Sequence, residues 1–232
     1  MIGVLVNFLT VVAGGALGCL MRGKLSERMR TAVNRGLGLC VMLIGIKGAI
    51  ETQNTLAVII CLVIGILIGE LIGIEQRVSR LGLWAQEAFS GGSGFAEGFV
   101  NATLLFSIGA MAVVGSLEAG LENKADTLLA KAVIDGVSAL IFASTLGAGV
   151  ILSAVPLTVY QGGIALFAGV LGKVLTPEII NEMSATGSLL IIGLSLNMLE
   201  LTKKPISVAN MLPALFLPIG YIPLANLLSR LF

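Results

Sequence analysis

The chain contains no histidine, one tryptophan and two tyrosines, and Asp, Glu, Lys and Arg together make up only 12% of its 232 residues. The lack of histidine removes the commonest general base and the commonest transition-metal ligand. A soluble domain carries roughly 25% charged residues, about twice this share, so the chain has too little polar surface to cover a globule in water. A net charge of +1 gives no electrostatic case for nucleic acid. Cys19, Cys40 and Cys61 stand alone in apolar stretches, with neither a CxxC pair nor a disulfide framework. No Walker motif is present, so ATP is not the energy source within this chain.

What the chain does have is apolar surface: 56% hydrophobic residues, 30 glycines and a mean hydropathy of +1.03. This predicts an all-α polytopic membrane helix bundle, with glycines serving close helix packing. The apolar runs lack the alternation of a membrane barrel. With about 20 apolar residues per crossing, eight spans are expected: 2–21, 34–50, 55–74, 97–119, 128–153, 156–174, 184–200 and 206–229. The first has no basic leader and is followed by Arg22, so it reads as a span and not as a cleaved signal peptide. The second and seventh are short, bear glycine or serine, and carry Lys47 and Asn197, which predicts broken or tilted helices. Pro213, Pro218 and Pro223 predict kinks in the last.

Basic residues in short loops set orientation. Arg22, Lys24, Arg28, Arg30 and Arg35 form the densest cluster, and counting spans puts Arg77, Arg80, Lys203 and Lys204 on the same, cytoplasmic side. The opposite loops are acid-rich, with Glu51, Glu122, Asp126, Glu178 and Glu182. Both termini then face outward. Residues 77–89 place Val78, Leu81, Trp84, Ala85, Ala88 and Phe89 on one helical face, as in a helix lying in the membrane interface, and Gly91-Gly92-Ser93-Gly94 forms a joint after it. The expected organisation is a three-span unit at 1–75, the interfacial helix and joint at 76–94, a two-span hairpin at 95–154 and a second three-span unit at 155–232. Offsetting the chain by 148 residues lays Gly14-Gly15 on Gly162-Gly163 and Gly45 on Gly193, so spans 1–3 overlie spans 6–8 in opposite orientation. Two readings stay open: an inverted repeat of the transporter kind, or coincidence in a glycine-rich chain.

An ionisable group within the bilayer needs a partner or a watery cavity. Lys131 and Asp135 are i,i+4 neighbours in the fifth span, with Ser138 and Thr145 continuing their face. They read equally as an ion pathway or as an internal salt bridge. Gln161 is a second polar group inside an apolar helix, able to line a pathway or bond another helix. Gly115-Ser116 and Gly187-Ser188 are read as polar breaks whose hydroxyls and freed carbonyls suit a monovalent cation, while Glu118 reads as a solvated helix end. Gly65, Gly69 and Gly73 form a GxxxGxxxG ridge, for packing inside the protomer or for a homodimer seam.

The stretch Ala130-Lys131-Ala132-Val133-Ile134-Asp135-Gly136, then Phe142-Ala143-Ser144-Thr145-Leu146-Gly147, then Tyr160-Gln161-Gly162, resembles the YqgA/YdfK family of bacterial integral membrane proteins. Asn7, Gly14-Gly15 and the basic segment after the first span are similar to the same family. The resemblance implies a multi-pass protein of the bacterial inner membrane. It carries a loose association with biofilm formation and suggestions of channel or transporter activity, but no established function, substrate or site residues.

The expected function is a channel or secondary transporter for a monovalent cation, sodium among them, or a small solute, driven by an ion gradient and without a cofactor. Asp135, Lys131, Ser138, Gln161, Ser116 and Ser188 are the candidate pathway residues. The alternative is a structural or regulatory membrane subunit without transport. A membrane-embedded enzyme would need a clustered acid/base or metal set that these spans lack, so no enzyme is expected. Eight small spans leave little room for a whole pathway, which favours a homodimer.

Overall fold

The computed structural model describes residues 1–24, 26–88 and 94–228. These residues form helices joined by short turns, with no strand among them: α1 (Ile2–Arg22), α2 (Glu27–Ala49), α3 (Thr55–Ile72), α4 (Ile74–Ala88), α5 (Phe95–Ser107), α6 (Ala110–Leu121), α7 (Asp126–Leu146), α8 (Gly149–Leu152), α9 (Ala154–Leu166), α10 (Ala168–Val174), α11 (Pro177–Met198), a 3-10 helix (Val208–Leu215) and α12 (Pro218–Leu228). Six helical stretches, with Gly149–Leu166 counted as one, are long and apolar enough to cross a membrane. Two bent pairs, α5 with α6 at 64° and the 3-10 helix with α12 at 46°, bring the crossings to eight if each pair is one span. Large apolar side chains such as Leu20, Leu71, Val133 and Val159 remain exposed, a surface suited to lipid and not to water.

Local chemistry sets the boundaries. Ser26, Asn54 and Thr176 cap α2, α3 and α11 by accepting from the N–H groups of Met29, Ala57 and Ile179, and Pro177 occupies the first helical position of α11. Gly73, at φ 70°, ends α3 in the left-handed conformation and turns the chain into α4. Gly109, at φ 124°, separates α5 from α6.

Several expected boundaries move. The second and seventh spans are unbroken: α2 begins at Glu27 and α11 runs from Pro177 to Met198. Glycine and serine there serve packing: Gly48 lies against Ser188, and the Ser188 hydroxyl donates to the Ser184 carbonyl at 2.8 Å. The break in the fourth span lies at Ile108–Gly109 and not at Ser116, whose hydroxyl donates to the Ala112 carbonyl at 2.7 Å within a continuous helix. A serine satisfied by its own preceding turn does not unwind a helix. The fifth span stops at Leu146, where Gly147 takes φ 89°, and the sixth divides into α8, α9 and α10.

The helices pair across large sequence separations. α1 runs parallel to α7, with Gly3 on Leu128, Gly14 on Gly136 and Gly18 on Leu140. α2 runs antiparallel to α11 through Gly38 on Leu199 and Gly45 on Ile192. α3 runs antiparallel to the 3-10 helix, with Gly65 on Ala214 and Gly69 on Asn210. Two glycines of the ridge are therefore used inside the protomer, and the third, Gly73, is a helix cap. A homodimer seam would have to use another surface. α11 is enclosed along most of its length, and the main core, including Val41, Phe106, Phe142, Leu157, Leu190 and Leu194, surrounds it and α7.

Polar ties hold the two ends. At the basic end, Arg35 pairs with Glu200 at 3.1 Å, and α4 is pinned by a reciprocal pair: Glu75 accepts from the Ala209 N–H at 3.0 Å, and its own N–H donates to the Asn210 side chain at 2.7 Å. Gly82 and Ala85 face the protein, leaving Leu81, Leu83 and Trp84 exposed on α4. Phe89 and the joint residues Gly91, Gly92 and Ser93 lie outside the described residues. At the opposite end, Glu182 is not in a loop: it is buried in the second turn of α11, accepting from the Thr52 hydroxyl at 2.5 Å, the Gln53 N–H at 2.9 Å and the Asn181 amide at 3.2 Å. Glu118 is also tied, accepting from the Thr127 hydroxyl at 2.6 Å to clasp α6 onto α7. Glu182→Gln turns an amide against a donor in that α2–α3 loop. It is expected to cost about 1–3 kcal/mol, read as a lower thermal unfolding midpoint in detergent. An unchanged midpoint would show that the loop does not depend on Glu182.

Candidate functional site

α7 presents Lys131, Asp135 and Ser138 one above another, as spacings of four and three residues on a helix require. Lys131 Nζ lies 2.8 Å from both carboxylate oxygens of Asp135, and the two residues are only 6% and 4% exposed. Asp135 is the tenth of the 21 residues of α7, on the order of 14 Å along a helix whose length matches a 30 Å hydrocarbon layer, and so near the middle of that helix. A carboxylate inside an apolar helix needs a partner, and the protein supplies one.

The remaining support comes from α1 and α9. Asn7 Nδ2 donates to Asp135 Oδ2 at 3.0 Å and to Gln161 Oε1 at 3.2 Å; Asn7 and Gln161 are fully buried. The carboxylate fixes how the Asn7 amide points, because an amide oxygen and a carboxylate oxygen are both acceptors and cannot bond each other, and Asn7 in turn fixes Gln161. This leaves Asn7 Oδ1 and Gln161 Nε2, one acceptor and one donor, without a hydrogen-bond partner among the described residues.

A cavity of about 300 Å³ opens beside the ion pair, lined by Lys131, Asp135 and Ser138 from α7, Ser184 from α11, and residues on both sides of the α5–α6 break at Gly109. Glu51, exposed at the α2–α3 loop, lies at its lip. Most of the lining is apolar, from Leu105, Phe106, Ile108 and Met111 among others. The N-terminus of α6 has no side-chain cap, and Gly109, Ala110 and Met111 at that end line the cavity together with Leu105 and Phe106 from the last turn of α5, so the two helix ends with their opposite dipole poles lie at its wall. Unwound backbone at membrane depth is tolerated where it is buried or lines a cavity, as here. Among the described residues no cluster of Cys, Asp or Glu is arranged to hold a metal ion.

Of the sequence-predicted residues, Asp135, Lys131 and Ser138 share this cavity, and Gln161 joins them through Asn7. Ser116 and Ser188 are bonded within their own helices and do not line it. Sequence reasoning missed Asn7, Gly109 and Ser184. Asn7 is polar inside an apolar helix, the same signal that singled out Gln161. Gly109 carried no visible mark, because a glycine that breaks a helix and one that packs it look alike in a chain with 30 of them.

Taken together, apolar helices of crossing length, a lipid-suited surface and a buried polar site define a multi-pass helical membrane protein. The chain belongs to the family described as "Protein of unknown function (DUF554)", whose model matches residues 2–222. It is similar to the uncharacterized membrane protein YdfK of Bacillus subtilis strain 168, 30% identical over 222 residues, with 94% of each chain covered. It is also similar to the uncharacterized protein YqgA of Escherichia coli strain K12, 31% identical over 222 residues, covering 93% of this chain and 94% of that one. No solved structure matches it.

Proposed function

We propose that the protein is a transport protein, a channel or secondary transporter, passing a monovalent cation or a small polar solute across the bacterial cytoplasmic membrane. The observation that carries this reading is the Lys131–Asp135 pair lining a 300 Å³ cavity at mid-membrane depth, next to a helix broken at Gly109. Ionisable groups and interrupted helices are both costly in lipid, and their meeting in one cavity is what a translocation site needs. Asp135 and Lys131 supply the charges; Ser138, Ser184 and the backbone at the break supply neutral donors and acceptors. Ser116 and Ser188, bonded to their own preceding turns and away from this cavity, have no part in the proposed pathway.

Orientation follows from the positive-inside rule. Arg22, Arg35, Arg77 and Lys203 gather at one end of the bundle, held there by the Arg35–Glu200 and Glu75–Ala209 ties, which supports a cytoplasmic position for that end. The cavity's lip at Glu51 is then on the outer side. The antiparallel packing of α2 on α11, and of α3 on the 3-10 helix, supports an inverted repeat. The open surroundings of Gly163 beside the tight ones of Gly15 speak against close equivalence. A second reading, a regulatory subunit without transport, is favoured by the close pairing of Lys131 with Asp135 and the Asn7 donation to the same carboxylate, as an anchoring network would have.

Purified protein in liposomes separates the two. Flux of labelled sodium, rubidium or small polar solutes is expected from wild type and is expected to fall at least about tenfold in Asp135→Asn, the loss of a buried charge in a pathway being worth more than 1.4 kcal/mol. Wild-type liposomes that pass none of them would favour the subunit reading. Equal flux from a folded Asp135→Asn would leave Asp135 a purely structural role.

A further inference from the structure

The charge arrangement in the cavity at Asp135 limits what it can hold. Lys131 and Asp135 are a neutral couple, both nearly fully buried, with Asp135 further held by Asn7. A lone cation drawn to Asp135 would leave the Lys131 ammonium facing a like charge in a poorly solvated site. A lone anion drawn to Lys131 would do the same to Asp135. Either arrangement leaves one buried charge without a counter-charge. A ligand bearing both charges avoids this: its carboxylate sits on Lys131, its ammonium on Asp135, and each of the four charges keeps an opposite neighbour.

The broken helix presents the same two poles. The uncapped N-terminus of α6, a helix of 12 residues, lines the cavity through Gly109, Ala110 and Met111 and so sets the positive end of its dipole there. Leu105 and Phe106 in the last turn of α5 line it as well, so the negative end of that helix lies beside it. Half-helices meeting in a bilayer suit ligands with separated charges. Ser138 and Ser184 add hydroxyls, and the apolar lining from Leu105, Phe106 and Met111 suits a small hydrocarbon side chain. The volume of about 300 Å³ is at the small end of ligand sites, which run to roughly 1,000 Å³.

Resting on the transport reading of this cavity, we propose that its substrate is a zwitterion: a small amino acid, or a solute carrying an ammonium and a carboxylate on adjacent carbons. Glu51 at the exposed lip meets the ammonium end first and stays in water.

The test is counterflow in liposomes containing the full chain. Labelled alanine is exchanged against unlabelled alanine, and then competed with serine, with the matching amine (ethylamine) and with the matching carboxylate (propionate). Labelled sodium and rubidium fluxes are measured on the same vesicles. Saturable alanine exchange is expected, displaced by serine, with the amine and the carboxylate each weaker by more than about tenfold because each leaves a buried charge unpaired. Lys131→Gln, in protein with a wild-type elution profile, is expected to admit the amine while still rejecting the carboxylate, and Asp135→Asn the reverse. An anchoring salt bridge with no ligand contact would not invert selectivity in this way. Ion flux without exchange of either amino acid overturns the zwitterion and leaves the transport reading standing. Movement of neither ions nor amino acids overturns both. Alanine exchange competed equally by amine, carboxylate and serine overturns the role of the ion pair, and the wild-type competition decides this even if neither variant folds.

Discussion

Replacing Lys131 by methionine is expected to destabilise the folded protein by about 3–5 kcal/mol, because it leaves the Asp135 carboxylate buried beside Asn7 with no cation. Replacing both partners, as Lys131→Met with Asp135→Leu, is expected to restore most of that loss, since an apolar pair of similar volume removes the unpaired charge altogether. The two unfolding midpoints, measured in one detergent, check the pair. A single variant as stable as wild type would show that Asp135 is neutralised by something other than Lys131. The double variant also separates roles: a pair kept only to anchor the bundle gives a stable protein with unchanged partners, whereas a pair that handles substrate gives a stable protein that transports nothing.

The second large effect is steric. A side chain at Gly14 would meet the backbone carbonyl of Gly136 at the closest approach of α1 and α7, the most extensive helix pair in the molecule. A carbonyl within a helix cannot turn aside, so Gly14→Val must push the helices apart and disturb the Asn7–Asp135 bond that crosses the same seam. A loss of about 3 kcal/mol is expected, at the upper end of overpacking costs. Gly163 is the control. A Cβ there meets nothing within 4 Å, so Gly163→Ala is expected to be neutral or to gain up to about 1 kcal/mol from helix propensity. Thermal unfolding of the two variants reads the contrast directly. Similar losses at both positions would mean that α9 is packed more tightly than the structure shows.

That contrast also shows where sequence reading reaches its limit. Membrane class, helical architecture, the approximate places of the apolar crossings and the i,i+4 pair at Lys131 and Asp135 follow from hydropathy and spacing, because lipid enforces them residue by residue. The sites of helix breaks do not. Gly109 breaks a helix, Gly45 and Gly48 pack one, and only the neighbour each glycine meets tells them apart. The serines misled for a related reason: Ser116 and Ser188 satisfy themselves on their own preceding turns, which no spacing rule reveals. Glu182 read as a loop acid because its partners, Thr52 and Gln53, lie about 130 positions away in the chain, beyond any local pattern. The ion pair was legible because both halves sit on one helix. The cavity beside it was not, because its walls come from five separate helices.

The pairing pattern has a consequence for how the protein is made. α1, α2 and α3 each leave the ribosome long before the partner that covers their glycines: α7, α11 and the 3-10 helix. At ordinary elongation rates the roughly 135 residues between α3 and the 3-10 helix take on the order of ten seconds to synthesise. Throughout that interval Gly65, Gly69 and the Glu75 carboxylate have only lipid, water or the insertion machinery as neighbours. The α3 seam therefore closes last, and a chain cut short before residue 208 would pair α1 and α2 but present α3 to quality-control proteases without the partner for its glycines.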